Sequence, residues 1–461
     1  MSLLNRRRPL PLRAPRPGLS PRLVVGAAVA CAAVLLLAPP AQAGACKDAG
    51  VTALASGNGG LDAGAPRISL LGLVDAAAHR SKAVGAARLL ADAALQDVEE
   101  VQAQGRPQAS LSASMGPSGS KVAGGNLNTA LQLRPTLNIS APFYDHGRLD
   151  HLTRWRGSLA EAARQGQIGL QEQVALQTVT LSFDRSRYRL HTQVWQQYAQ
   201  KVCAIVESLE QVVAADKGRG SELAQSRKTL QQVLLSHAQA RTQLAVTETK
   251  LRRLVGEQLP DASGLASLML TPPALGELQQ GAARAADIAA LDAQAKAADS
   301  LAEATVASHK PQAGWLVSLQ AALGKDSTAA WNAGVSVSVP LINPGAAPAA
   351  QAARQRAEAA RLQREEALEA LRNRLAEVHE QAQASMARAR DVVGVLRQSE
   401  RVREDTLLQW QQLGKRSLFD VISAEGDHFT LRLAYVDALH DGQQAVALMW
   451  SLAGGVTQPL Q

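Results

Sequence analysis

The stretch Pro142-Phe143-Tyr144-Asp145-His146-Gly147 returns 198 positions later as Pro340-Leu341-Ile342-Asn343-Pro344-Gly345. With the same offset, Glu222-Leu223 corresponds to Asp420-Val421. A constant period of this length is the signature of a tandem duplication. The sequence therefore predicts one body built from two similar halves of roughly 200 residues each.

The formal net charge of the 461-residue chain is +8, but this value is a poor guide to its partners. Six arginines lie in the first 43 residues, which contain no acidic residue, and without them 42 basic residues face 40 acidic ones. A nucleic-acid-binding protein would need a basic patch outside these first 43 residues, so a nucleic-acid-binding function is not favoured. Aromatic residues make up only 3 % of the chain, and the abundant Ala, Leu, Gln, Arg and Glu are typical of long helices.

Residues 1–43 are predicted to be a secretory signal peptide. A basic segment precedes the apolar run 23–37, and Ala41-Gln42-Ala43 has the form of a cleavage site. The alternative is a membrane anchor, but a run of about 15 residues is short beside the roughly 20 that a spanning helix needs. Residues 44–67, rich in Gly, Ala and Asp, are interpreted as a flexible N-terminal leader.

Cys46 is a candidate lipidation site, because bacterial lipoproteins carry their lipid on the first cysteine of the mature chain. The preceding Ala43-Gly44-Ala45 lacks the leucine that usually stands three positions before such a cysteine, which argues against lipidation. With Cys31 inside the signal peptide, only Cys46 and Cys203 remain, and two cysteines do not make a disulfide framework.

Each half is predicted to contain a helix, two strands and a long helical hairpin. The first repeat covers residues 68–260, with helices at 68–104 and 147–214 and a returning helix for which Ser221 is the expected N-cap. Residues 261–274 link the repeats. The second repeat covers residues 275–455, with helices at 278–308, 347–412 and 418–453, and residues 456–461 form a C-terminal tail.

The strands are indicated by a period of two. In the first repeat, leucines such as Leu131 and Leu133 alternate with polar residues such as Gln132, and in the second Val335 and Val337 alternate with serines. Strands of about ten residues fit a tilted crossing of a bilayer. A half-buried strand of a soluble β-sandwich alternates in the same way, so this alternative remains open. Four strands cannot close a barrel alone.

The helical hairpins carry a heptad pattern towards their turns. Apolar residues recur every seven positions from Val174 to Leu209, and a second row from Tyr198 to Val212 completes a coiled-coil seam. The seam ends at the glycine turn of Gly218 and Gly220, and Gly414 and Lys415 lie in the corresponding turn of the second repeat. These four residues are the predicted tip turns of the two hairpins.

Together, these features resemble the TolC family of bacterial outer-membrane efflux and type I secretion factors. The most specific segment is Leu413-Gly414-Lys415-Arg416-Ser417-Leu418-Phe419-Asp420-Val421-Ile422-Ser423-Ala424, which is similar to the tip signature of that family. The resemblance implies an α+β membrane protein. Three copies would form a 12-stranded β-barrel in the cell outer membrane and a long α-helical tunnel in the periplasm. It also implies docking on an inner-membrane transporter and a periplasmic adaptor protein.

The resemblance further implies a gate at the hairpin tips, held closed by an arginine and acidic residues. Arg416 and Asp420 match that pattern, and Glu222 stands at the position of Asp420 in the first repeat. The second aspartate and the upstream tyrosine of the family pattern are Ser423 and Gln411 here. An ordinary solvent-exposed pair four residues apart on a helix is the alternative for Arg416 and Asp420.

The function implied is that of a passive export duct, with type I protein secretion favoured over drug or metal efflux. A soluble periplasmic coiled-coil adaptor is the alternative from another class. Neither a catalytic motif nor a metal-ligand or cofactor-binding pattern is recognisable, so no enzyme, metal or cofactor is expected.

Overall fold

The computed structural model describes residues 65–120, 128–215, 217–260, 270–323, 328–412 and 415–457. All of them belong to one unit, Gly59–Gln461. The predicted signal peptide 1–43, the candidate lipidation site Cys46 and the tip residue Gly414 lie outside the described residues, as do most of the leader and the greater part of the linker and tail.

The two repeats contain the same elements in the same order. In the first, helices α1 (Ala65–Arg80) and α2 (Lys82–Ala103) precede strands β1 (Gln108–Ser120) and β2 (Asn128–Tyr144) and helices α3 (Arg148–Ala215) and α4 (Gly220–Val255). In the second, helices α5 (Leu275–Ala282) and α6 (Ala286–Ser308) precede strands β3 (Gln312–Ala322) and β4 (Thr328–Ser338) and helices α7 (Ala346–Gln411) and α8 (Leu418–Ala453). The predicted α+β class is confirmed.

Three details of the predicted helices are wrong. The helix expected over 68–104 is broken at Ser81, whose side chain accepts a hydrogen bond from the Val84 amide at 3.3 Å and so begins a second helix. The helix expected over 278–308 is likewise two helices, α5 and α6. Helix α4 begins at Gly220 rather than after Ser221, and Arg219 occupies the N-cap without a side-chain hydrogen bond.

The four strands form one antiparallel sheet in the order β1-β2-β3-β4, so the two hairpins are joined through β2 and β3. The register aligns an apolar row across all four strands: Leu111, Leu137, Leu319 and Trp331. The neighbouring row is polar: Ser110, Asn138, Ser318 and Asn332. The hydroxyl of Ser318 donates to the Asn138 side chain at 2.7 Å, which ties β2 to β3 on the polar face.

Among the residues that the structure describes, none covers the apolar face of the sheet. Leu111 is 75 % exposed and Trp331 77 % exposed. Exposed apolar surface of this kind normally marks contact with another protein or with lipid. Strands β1 and β4 each pair on one side only in the described sheet, so both present free edges.

The long helices start at a duplicated backbone motif. Both oxygens of the Asp145 carboxylate accept backbone hydrogen bonds, from Gly147 at 3.1 Å and Leu149 at 2.7 Å, where α3 begins. At the equivalent position in the second repeat, Asn343 accepts from Gly345 at 3.1 Å before α7. Helix α3 has 68 residues, which corresponds to roughly 100 Å.

The main core joins both repeats. Phe183 of α3 is fully buried among Leu70 of α1, Leu375 of α7 and Met449 of α8. Truncating a buried phenylalanine to alanine typically costs about 3–5 kcal/mol. The helical parts of the two halves are therefore packed as one body. Among the helices that the structure describes, none is both long and apolar enough to span a membrane.

Candidate functional site at the hairpin tips

The turns of both helical hairpins lie at the same end of the molecule. Ile205 and Leu209 of α3 pack against Leu418, Val421 and Ile422 of α8. Leu223 of α4 and Leu407 and Trp410 of α7 are partly buried against the same cluster. Because Glu222 adjoins Leu223 and Asp420 adjoins Val421, this small core brings the acidic residues of the two repeats to one end of the molecule.

The Asp420 carboxylate is engaged by its own helix. It accepts a hydrogen bond from the Ser417 amide at 3.0 Å, while the Ser417 hydroxyl accepts from the Asp420 amide at 3.2 Å. This is a capping box, which satisfies two backbone donors at the start of α8. A carboxylate in the first turn also interacts favourably with the helix dipole.

Arg416 does not pair with Asp420 within the chain. It precedes the helix, and its Nε donates to the Gln409 side chain at 3.3 Å. The helical pair considered as the alternative for these two residues is therefore not formed, because α8 begins only after Ser417. The Arg416 side chain is exposed to solvent, and Asp420 is partly exposed.

The first repeat has no capping box at its tip. Arg219 stands where the second repeat has Ser417, and Oε2 of Glu222 is buried without a hydrogen-bond partner. Of the predicted tip turns, Gly218 lies in a short 3₁₀ turn, Lys217–Arg219, and Gly220 is the first residue of α4. The amide of Lys415 donates to the Gln409 carbonyl at 3.2 Å. The acidic residue of the first repeat is thus the less satisfied of the two.

Residues 73–257 match the family model described as outer membrane efflux protein. No significant match was found among curated protein sequences.

Solved structures extend the likeness to most of the chain. The CusC crystal structures match with a TM-score of 0.76 and 19 % identity, covering 84 % of this chain and 92 % of that one. The outer membrane protein VceC of Vibrio cholerae matches with a TM-score of 0.74 and 19 % identity, covering 86 % and 99 %. The open state of the MtrE outer membrane channel of Neisseria gonorrhoeae matches with a TM-score of 0.72 and 17 % identity, covering 85 % and 91 %. At these identities the structures establish the fold.

The resemblance to the TolC family is confirmed by these matches. Members of the outer membrane efflux protein family are passive channels rather than enzymes. The expected location, the outer membrane with a large periplasmic part, agrees with the family and with the neighbouring structures.

A buried charge network, which was not expected from the sequence, lies beyond the tips, between α7 and α8. The Glu425 side chain of α8 is 3 % exposed, and its carboxylate accepts a hydrogen bond from Arg403 of α7 at 3.1 Å. Arg403 also donates to Glu400, whose other oxygen lies 3.2 Å from Nε2 of His428. One guanidinium fork therefore joins two carboxylates across the second hairpin.

A sequence signal for this network existed. Glu425 lies at helical spacing from Leu418, Ile422 and Phe429, so it shares their buried face. A glutamate in such a position is rarely buried without a partner. The position of its arginine on the preceding helix could not be read from spacing along the chain.

A second network joins the two repeats. Arg187 of α3 donates to Asp437 at 2.6 Å and to Asp441 at 3.0 Å on α8, and His191 lies 2.9 Å from Asp437. Burial acts to raise the pKa of Asp437, but His191 and Arg187 outweigh it and lower that pKa. His440, on the same stretch of α8, is 1 % exposed, and its burial lowers its pKa. The network fixes the first hairpin to the second.

Proposed function

We propose that the chain is the outer-membrane channel component of a tripartite export system. Three copies would each contribute four strands to a shared 12-stranded barrel, with the helices forming a tunnel through the periplasm. The observation that carries this proposal is the sheet, which has an uncovered apolar face on one side, a polar face on the other and two free edges. Pairing β4 of one copy with β1 of the next would satisfy both edges and turn the apolar face towards lipid.

The partners follow from the same geometry. The tips lie at the opposite end of the helices from the sheet, so they would face the inner membrane. An inner-membrane transporter and a periplasmic adaptor are the partners proposed for that end. A soluble adaptor function for the chain itself is disfavoured, because it would leave the apolar face of the sheet exposed to water.

The gate of the duct is proposed to lie at the tips, with Arg416, Asp420 and Glu222 as its charged residues. Since Arg416 and Asp420 do not pair within one chain, the link would have to form between copies. Arg416 is exposed in the turn before α8, and Glu222 is partly exposed at the tip of the first hairpin. A guanidinium can bind a carboxylate through two parallel hydrogen bonds, so these two residues are the best matched for such a link.

The exported cargo is proposed to be either a protein or a small molecule. The sequence favours type I protein secretion on the weakness of the lipid signal at Cys46, whereas the family description, outer membrane efflux protein, favours small-molecule efflux. A strain lacking the gene would distinguish them. Loss of a protein from the culture medium would support secretion, and increased sensitivity to toxic compounds or metals would support efflux.

The channel itself is tested by fractionation and conductance. We expect the protein in the outer-membrane fraction as a heat-sensitive trimer that conducts ions in a planar bilayer. A monomer in the soluble periplasmic fraction would overturn the proposal. Mass spectrometry of the mature N-terminus would separate cleavage after Ala43 from lipidation at Cys46.

A further inference from the structure

A groove runs between α7 and α8 on the tip-proximal half of the second hairpin. Its volume is about 540 Å³. Val393 and Leu396 of α7 are half-buried in it, while Arg397 and Arg401 are exposed on the same side of that helix. Arg432 contributes from α8, together with His428 and Glu400. We call this surface the arginine groove, after Arg397, Arg401 and Arg432.

Arg432 is the half-buried cation of the groove. Its guanidinium is half-buried and lies 5.2 Å from the centre of the Phe429 ring, and it makes no ion pair with any residue that the structure describes. Burial lowers the pKa of Arg432 and the nearby Arg403 adds to this effect, although Glu400 opposes both. A cation held in this way gains from an added anion more than a fully solvated one does.

Glu400, the acidic residue that lines the groove, and the neighbouring Glu425 are both already paired. Glu400 accepts from Arg403 and contacts His428, and Glu425 is buried against Arg403. Three arginines and one glutamate line the groove, which leaves an excess of two positive charges, and the neighbouring Arg403–Glu425 pair adds none. Glu404, one turn further along α7, does not line the groove.

Helix α4 of a second copy is poorly suited to supply the missing carboxylates. Between Leu223 and Thr247, helix α4 contains no acidic residue, and Arg227, Lys228 and Arg241 are exposed along it. The first hairpin of a neighbouring copy would therefore bring further positive charge through α4. Charge complementarity favours an acidic partner of another kind.

We infer that the arginine groove binds an acidic helix of a periplasmic partner protein, an inference that rests on the proposed export function. Arg397 and Arg401 are four residues apart, which places them about 6 Å apart along the helix axis. Two carboxylates one turn apart on a partner helix match this spacing. Val393 and Leu396 would contact apolar side chains on the same face of that helix.

The probe is a synthetic helical peptide with glutamates one turn apart and small apolar residues between them, and its counterpart carries glutamine instead. Binding to the purified full-length protein is measured by fluorescence anisotropy at low and high salt. We expect the glutamate peptide to bind, its affinity to fall as salt rises, and the glutamine peptide to bind at least about ten-fold more weakly. Equal binding of the two peptides, or no binding of the glutamate peptide, would overturn the inference.

The variants use exposed residues, so that folding is preserved. Arg397→Glu with Arg401→Glu should weaken binding by about ten-fold or more, because two exposed ion pairs of about 0.7 kcal/mol each are lost. Arg356→Glu with Arg388→Glu makes the same charge change on exposed residues of the same helix outside the groove, and should leave affinity unchanged. Equal losses in both double variants would mean that only the overall charge matters, and the groove would be excluded.

Conductance in a planar bilayer separates this inference from the proposed function. A wild-type protein that fails to conduct contradicts the channel proposal. A protein that conducts normally, but whose groove variants bind the glutamate peptide like the wild type, contradicts the groove alone.

Discussion

Replacing Arg403 with alanine should be among the most destabilising single changes in the second hairpin. The Glu425 side chain is 3 % exposed and Arg403 15 % exposed, and Arg403 supplies the ion pair that the structure gives to Glu425. Removing one partner of a buried pair leaves an uncompensated charge and typically costs about 3–5 kcal/mol. The Glu400 carboxylate loses a hydrogen bond in the same step.

The free energy of unfolding is measured by denaturant titration of the purified protein in detergent. Arg388→Ala is the control, because this arginine is exposed on the same helix and its loss should cost no more than about 0.5 kcal/mol. Adding Glu425→Gln to the Arg403 variant should restore part of the loss, since an amide is less costly to bury unpaired than a carboxylate.

Two results would refute this reasoning. If Arg403→Ala lowered the free energy of unfolding by less than about 1 kcal/mol, the pair would contribute no more than an exposed ion pair does, despite its burial. A double variant less stable than the Arg403 variant would mean that the negative charge of Glu425 is not the source of the cost.

Four further changes probe other parts of the molecule. Arginine at Val337, whose side chain lies on the apolar face, should cost about 2–4 kcal/mol and reduce the yield of assembled trimer on gels, whereas arginine at Ser338 on the opposite face should be tolerated; equal yields would contradict the barrel. Arg416→Ser should raise single-channel conductance and leave the trimer intact, and an unchanged conductance would place the closure elsewhere. Arg219→Ser should create a capping box at the start of α4 and raise the free energy of unfolding by about 1 kcal/mol, while no gain would mean that the turn cannot adopt the cap geometry. Burial lowers the pKa of His440 below its usual 6.5, so the unfolded chain binds the proton more readily, and stability falls as the pH drops through 6.5. His440→Gln should flatten this dependence of the melting temperature on pH. An unchanged slope would mean that other groups cause the pH dependence.

The sheet and the long helices were predictable because their signals are periodic and local. Alternation along β2 predicts which residues share a face, and the register then aligns Leu137 with Leu319 and Asn138 with Ser318. The duplication predicts the second half from the first. Helix breaks were missed at Ser81 and before Ala286, because the apolar spacing continues across them and only side-chain capping or packing marks the break.

The tip was harder to predict, because its contacts depend on where each helix starts. Reading Arg416 and Asp420 as a helical pair assumes that the helix already includes Arg416, whereas the Ser417 cap starts it afterwards. The same duplication that predicts the fold also aligns Arg219 with Ser417, and this alignment would have placed the N-cap of α4 at Arg219 instead of Ser221. The Arg403–Glu425 pair joins residues 22 positions apart on antiparallel helices, a separation that no local pattern encodes.

The two hairpins differ in capping at their tips, where they are proposed to work. The tip of the second hairpin is stabilised within its own chain. The Ser417 capping box satisfies the start of α8, and the buried Arg403–Glu425 pair joins the two helices further from the turn. The tip of the first has an uncapped helix and a Glu222 oxygen without a partner. Because a cap is worth about 1 kcal/mol, the start of α4 should open more readily than the start of α8. A neighbouring copy or a docking partner can change the energy of the first tip more easily than that of the second, which places the adjustable half of the proposed gate in the first repeat.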